Sequence, residues 1–282
     1  MTQATSSPSR YEAVPMQFSY CSQASALWDP SGVFEGFDER DLLLRRASAG
    51  QLTALELKAR KAGKSDHWPH VAGATFLLLY VMNGNIRFSM SDGALITLNP
   101  REAVHLPFML GVKSAEWPQD LHIVQIWAKD PGSGLAPLLQ MSPEVHQGAW
   151  EEAIVRNRAE LFIRGDGPRA FFTYRDLGSA KTTERRIQTH DGDGAAADID
   201  GGTGWHNHSM SQFFFILGGS ADIDVENHGS FHMVPGDAMT LGREMRHNVL
   251  NIKRGYNVIE VCLPADYTTV PQDPAVISGG EG

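Results

Sequence analysis

Trp205-His206-Asn207-His208-Ser209-Met210-Ser211-Gln212 is the stretch on which the reading of this chain turns. Along a strand, successive side chains alternate between faces. Positions 206, 208 and 212 therefore share one face, and two imidazoles and an amide project to the same side. Imidazole suits Zn, Fe, Ni and Cu, while an amide oxygen is a weaker, neutral donor. A fourth donor, His247, lies downstream. The run continues into Phe213–Val225, rich in aromatic and β-branched residues and broken by Gly218-Gly219-Ser220. That pattern predicts a hairpin.

Outward from this stretch, the chain repeats itself. Phe37, Arg40, Asp41 and Leu42 recur as Phe172, Arg175, Asp176 and Leu177 (172 − 37 = 135), and Gly84 recurs as Gly219 in the same register. The run Leu121–Trp127 falls on Tyr256–Cys262. Several matches in one ungapped register argue for two copies of one fold. Each copy reads as β: Phe76–Phe88, interrupted by Asn83-Gly84-Asn85, matches the hairpin pattern of Phe213–Val225, and short strands follow at 94–98, 103–106, 230–234 and 238–241. Many short strands with Gly, Pro, Asn and Asp turns point to a sandwich or barrel. Trp150–Leu161 has the one helical pattern, so residues 134–164 read as a linker with a helix, between a first barrel over 1–133 and a second over 165–282.

The spacing of the histidines resembles the cupin superfamily. Its first motif is His-x-His, three or four residues, Glu, six residues, Gly; the chain has His206, His208, Gln212 and Gly219. Its second motif ends in His, three residues, Asn; the chain has Gly236, Gly242, Glu244, His247 and Asn251, with Gly242 and Glu244 replacing the motif's Pro and second Gly. The resemblance implies an all-β bicupin, two tandem jelly-roll barrels. It also implies one divalent metal ion held by His206, His208, Gln212 and His247, and a homodimer. Gln at the Glu position leaves the ligand shell neutral. In the first copy the same positions are Val71, Gly73, Leu77 and Val112, none of which can ligate a metal, although Pro107 keeps the motif's proline. A first barrel with an apolar interior, serving packing or dimerisation, follows. His67, His70 and His105 are off register and read as surface or loop residues.

Around the site, Met210 and Phe214 share the histidine face and, with Trp205, are candidates to line a substrate pocket, whereas Phe213 and Phe215 point the other way. Glu260, within an apolar strand, and His190 are the candidate catalytic residues. Arg243, Glu244 and Arg246 read as surface ion pairs and Asp237 as a turn residue. The acidic, Gly-rich stretch Asp191–Gly202 matches no calcium-loop spacing and reads as a flexible loop that could cover the barrel mouth.

Composition bounds the function. Of 282 residues, 42% are hydrophobic and 20% charged, and the formal net charge is −9. That is an ordinary globular balance without a basic cluster, which disfavours nucleic acid and anionic membranes as partners. Two cysteines, Cys21 and Cys262, make no disulfide framework. The N-terminal stretch lacks an apolar core, and a cytoplasmic protein is expected. The sequence-based expectation is a cupin enzyme with a small-molecule substrate: an Fe2+-dependent dioxygenase acting on a phenol, diketone or other chelating oxygenated compound. The alternatives are an O2-independent isomerase, cyclase or lyase using Zn2+, Ni2+ or Mn2+ as a Lewis acid, and a non-catalytic metal- or ligand-binding bicupin.

Overall fold

A computed structural model describes residues 15–66, 68, 74–105, 109, 111–129, 153–165, 169–194 and 196–274. Val71, Gly73, Pro107, His67 and His70 lie outside the described residues. The chain divides into two compact units, Ala26–Arg158 and Ala159–Gly282, the latter joined by the segment ending at Ser25.

The first unit has a seven-stranded sheet ordered Ile154–Val155, Ala103–His105, Ala74–Asn83, His122–Lys129, Leu52–Ala59, Phe37–Asp41 and Asp29–Pro30. Facing it is a four-stranded sheet of Gly63–Ser65, Val112–Trp117, Ile86–Met90 and Leu95–Leu98. Leu57, Leu77 and Leu79 of one sheet meet Phe88, Ile96 and Ala115 of the other in a closed apolar core, as period-2 burial requires. Leu77, at the register position of Gln212, is part of that core.

The second unit repeats the plan. Its seven-stranded sheet runs Ser19–Cys21, Ala238–Leu241, Ser211–Gly218, Asn257–Leu263, Gln188–Asp193, Thr173–Asp176 and Phe162–Arg164. The opposing six-stranded sheet is built from Gly229–Met233, Ala221–Val225, His247–Ile252, His206–His208 and Thr269–Pro271, with Ile199–Gly202 also on His247–Ile252. Phe214, Ile216 and Val258 pack there against Ile223, Val249 and Ile252.

The repeat is visible atom by atom. Arg40 pairs with Glu56 at 2.6 Å in the first unit, and Arg175 pairs with Asp191 at 2.6 Å in the second, 135 positions on in both partners. The Ser48 hydroxyl donates to the Leu44 carbonyl and accepts from the Leu52 amide; Thr183 does the same with Ser179 and Ile187. Gly84 and Gly219 both take positive φ, 70° and 61°, where a Cβ would strike the backbone of Leu121 or of Tyr256.

Those two glycines correct the hairpin expectation. Ala74–Asn83 and Ile86–Met90 are not paired with each other; they lie in different sheets, as do Ser211–Gly218 and Ala221–Val225. The Gly turn is a corner at which the chain changes sheet, and a side chain there would block the close approach of the facing turn.

The helix expected at 150–161 is not formed by its described part. Ile154–Val155 pairs antiparallel with Val104 and Ala103 at the sheet edge, and Ala159–Leu161 makes a short 3-10 turn. An open sheet edge and two β-branched residues outweigh a local helical pattern. Ile154–Val155 belongs to the first unit and Ser19–Cys21 to the second. Ser19, Tyr20 and Cys21 pair with Thr240, Met239 and Ala238, and the buried Asp237 accepts from the Gln23 amide at 2.7 Å. Asp237 therefore holds the N-terminal segment as well as its own turn. His105 is a correction too: it is buried in a strand, not at the surface.

Candidate metal centre and cavity

His206 and His208 come from one short strand of the six-stranded sheet, and His247 begins the neighbouring strand, with Cα paired to that of His206. All three are buried. Ring centroids lie 4.3 Å (206–247), 4.8 Å (206–208) and 5.3 Å (208–247) apart, and one nitrogen from each falls within 4.8 Å of the others. Each Nδ1 is already engaged. That of His206 donates to the Gly204 carbonyl at 2.7 Å and that of His247 to the Met245 carbonyl at 3.0 Å, while that of His208 meets the Thr269 hydroxyl at 2.9 Å. A carbonyl can only accept, so the first two tautomers are fixed with Nε2 as a free lone pair. This is the outer support that metal-ligating histidines ordinarily have.

Electrostatics agree with that role. Burial pushes the His208 imidazole down to about 2 and His247 to about 3, with the neighbouring imidazoles adding to the shift, and burial lowers His206 as well. Three imidazoles kept neutral are three available lone pairs. Because the folded values lie below the unfolded value of 6.5, the unfolded chain binds protons first. The metal-free protein is therefore expected to hold its full contribution from these residues above about pH 6.5. It should lose stability progressively as pH falls towards 3, which urea unfolding at a series of pH values would measure. A flat stability profile between pH 6.5 and 4 would contradict the burial of these rings.

Gln212 lies on the opposing sheet, on the face shared with Phe214 and Ile216, and is buried. Its Nε2 donates to Glu260 Oε1, while its Oε1 has no hydrogen-bond partner. A buried acceptor without a donor is costly. An amide oxygen left without a donor and three neutral imidazoles are donor types that suit a divalent ion.

A cavity of about 510 Å³ has Arg169, Tyr174, Asp176, His190, Glu260 and Tyr267 on its wall; neither the three histidines nor Gln212 lines it, and Tyr267 links it to His208. Both catalytic candidates from the sequence are therefore on its wall. His190 Nδ1 sits 3.6 Å from Glu260 Oε2. Burial alone would raise the Glu260 carboxyl, but His190, Arg169 and the Gln212 amide outweigh it and hold the group ionised below its ordinary value. Arg169 donates to the Tyr267 hydroxyl at 3.3 Å, and the Tyr267 ring meets His208 edge-on at 5.5 Å. Burial drives the Tyr174 and Tyr267 phenols upward, so both remain protonated donors.

The pocket candidates Trp205, Met210 and Phe214 do not line this cavity. Phe214 is core, packed with Met239 and Leu241, and Met210 is buried. Arg169, Tyr174 and Tyr267 line the cavity. Sequence reasoning missed them because Arg169 and Tyr267 stand in irregular segments outside the two motifs. The repeat held one clue, since Arg169 replaces Phe34 in the 135-residue register. Arg243 and Arg246 form surface pairs with Glu244 and Glu226. The acidic stretch is not a free loop: Asp191 is fully buried on Arg175, and Asp198 pairs with Lys253. Cys262 is buried with its thiol pushed up by burial, and neither cysteine is in a disulfide.

No protein-family model matches the chain, and no curated protein matches it. Solved structures do. An oxalate decarboxylase from Lactobacillus farciminis, in a formate complex, superposes with a TM-score of 0.57 at 14% identity over 89% of this chain and 88% of that one. The Bacillus subtilis oxalate decarboxylase, described with Mn(II) centres, gives 0.54 at 13% over 93% and 80%. A putative glyoxylate-induced protein from Pseudomonas aeruginosa gives 0.62 at 11% over 96% of both chains. At these identities the likeness is one of fold, and it spans both units. No helix of the described residues is long and apolar enough to cross a membrane. Two copies of one two-sheet barrel, with a histidine cluster inside the second, give the chain the tandem-barrel fold of these solved structures.

Proposed function

We propose that His206, His208, Gln212 and His247 hold one divalent metal ion and that the protein is an O2-independent enzyme, a lyase or related Lewis-acid catalyst, acting on a small carboxylate. The observation that carries this reading is the charge pattern of the cavity. A neutral donor set leaves the ion's two positive charges uncompensated by its ligands, and Arg169 adds a third a short distance away. The wall also carries two carboxylates, the buried Glu260 and the exposed Asp176, and a second arginine, Arg164, so the excess positive charge there is the ion's. Such a cavity concentrates anions.

The metal, when bound, supplies a Lewis acid that polarises a coordinated oxygen. The chain's own residues do the rest. Arg169 offers a planar fork matched to a carboxylate, and Tyr267, which accepts from Arg169, keeps its own proton to donate towards the substrate. Glu260, ionised on the wall, can take a proton, and His190 at 3.6 Å is the neighbour through which it could pass on. The fold likeness to oxalate decarboxylases supports a decarboxylation-type reaction and Mn2+ as the ion to test first. The dioxygenase reading with Fe2+ draws no comparable support.

The test is reconstitution of the metal-free protein with Mn2+, Fe2+ or Zn2+. Turnover of oxalate and a panel of small 2-oxo and 2-hydroxy acids is then followed under nitrogen and under air. The expected outcome is activity that survives under nitrogen, vanishes with a chelator and needs a carboxylate. Arg169→Met should raise KM at least about tenfold, the loss of one charged hydrogen bond. Turnover only with O2 uptake would restore the dioxygenase reading, and tight binding without turnover would leave a binding protein.

A further inference from the structure

Glu260 is a buried carboxylate outside the three-histidine cluster, grouped instead with His190 and Cys262, and its placement is specific. Its Oε1 accepts from the Gln212 amide nitrogen, and its Oε2 faces His190. A carboxylate can only accept, so the amide nitrogen of Gln212 must turn to it and the amide oxygen must turn away. That oxygen is the buried atom left without a partner.

The first barrel gives an internal comparison. There the position of Glu260 is Gln125, whose Oε1 accepts from the Trp68 indole at 3.3 Å, and the position of Gln212 is Leu77. The barrel without the histidine pattern thus also lacks the carboxylate. The charge occurs only where there is an amide to orient.

We propose that Glu260 is a positioning residue of the metal centre. By anchoring the Gln212 nitrogen it commits the amide oxygen to the ion, and it keeps the site's negative charge one residue outside the ligand shell. This rests on the metal-centre reading above. It assigns Gln212 and Glu260 as a coupled pair in which a neutral ligand and an outer carboxylate together replace a single carboxylate ligand.

The coupling can be read from a double-mutant cycle in Mn2+ affinity, measured on the full-length metal-free protein by chelator competition and calorimetry. Circular dichroism would check the fold of each variant. Glu260→Gln leaves an amide that can accept or donate, so the Gln212 oxygen is no longer fixed. Affinity should fall about 10- to 100-fold, the usual cost of losing an outer-shell partner. Gln212→Glu should retain the ion, because a carboxylate has two equivalent oxygens and needs no orienting. In that background Glu260→Gln should cost nothing or improve affinity, since it separates two like charges. A purely structural Glu260 would give the same loss in both backgrounds, and that result, or no loss in either, would overturn the proposal. If the wild type takes up no Mn2+, Fe2+ or Zn2+ at all, the metal-centre reading falls and takes this one with it.

Discussion

His247→Val is expected to empty the second barrel of metal while leaving it folded. His247 is 2% exposed and starts the strand that pairs with His206, so its imidazole cannot swing to solvent or be replaced by a neighbour. Removing it leaves two imidazoles and an amide oxygen, a weak set for any divalent ion. Loss of an outer-shell partner ordinarily costs 10- to 100-fold in affinity, and loss of a ligand should exceed that, at least about 100-fold. Valine is the choice because the first barrel carries Val112 at this position, on a strand of the same kind. The fold has therefore already accommodated it. Elemental analysis should show metal falling from about one per chain to under about a tenth. Retention of a full equivalent would mean that His247 is not a ligand.

Arg175→Leu is expected to be the most destabilising single change outside the site. Arg175 and Asp191 are both fully buried and 2.6 Å apart, and the Asn257 amide donates to the other carboxylate oxygen at 2.8 Å. Removing one member of a buried pair strands the other charge, at about 3–5 kcal/mol. Replacing both with apolar residues of similar volume should recover much of that loss. The two units need not unfold together, so urea unfolding should be followed with a probe confined to the second one. A loss below about 1 kcal/mol, the range of surface pairs, would contradict the account. The equivalent pair Arg40–Glu56 adds His122, whose Nε2 lies 2.6 Å from the second Glu56 oxygen. The repeat has kept the pair and varied its third partner.

Much of the architecture was legible because it depends on short-range periodicity. Strand alternation put Gln212 and Phe214 on one face, although not on the strand of His206 and His208, because the chain changes sheet between His208 and Ser211; the ungapped register paired Arg40 with Arg175 and Gly84 with Gly219. The errors share one cause, which is that a local pattern does not say which strand lies alongside. A two-strand run around a Gly reads as a hairpin, yet Gly84 and Gly219 turn the chain from one sheet to the other. Ile154 and Val155 sit in a helical pattern, yet an open edge at Ala103 and Val104 recruits them. The segment around Tyr20 gave no sign that Ala238–Leu241 would take it as a strand. The site divides in the same way. The histidines stood in a motif, whereas Arg169 and Tyr267 reach the cavity from irregular segments far apart in sequence, where only tertiary structure brings them together.

A divalent ion in the second barrel would be detected by elemental analysis of untagged wild-type protein purified without oxygen and without chelators. The expected result is about one Mn, Fe or Zn per chain, or the same stoichiometry after incubation of the metal-free protein with these ions. No bound ion under either condition would contradict it and leave three buried, neutral histidines without a function.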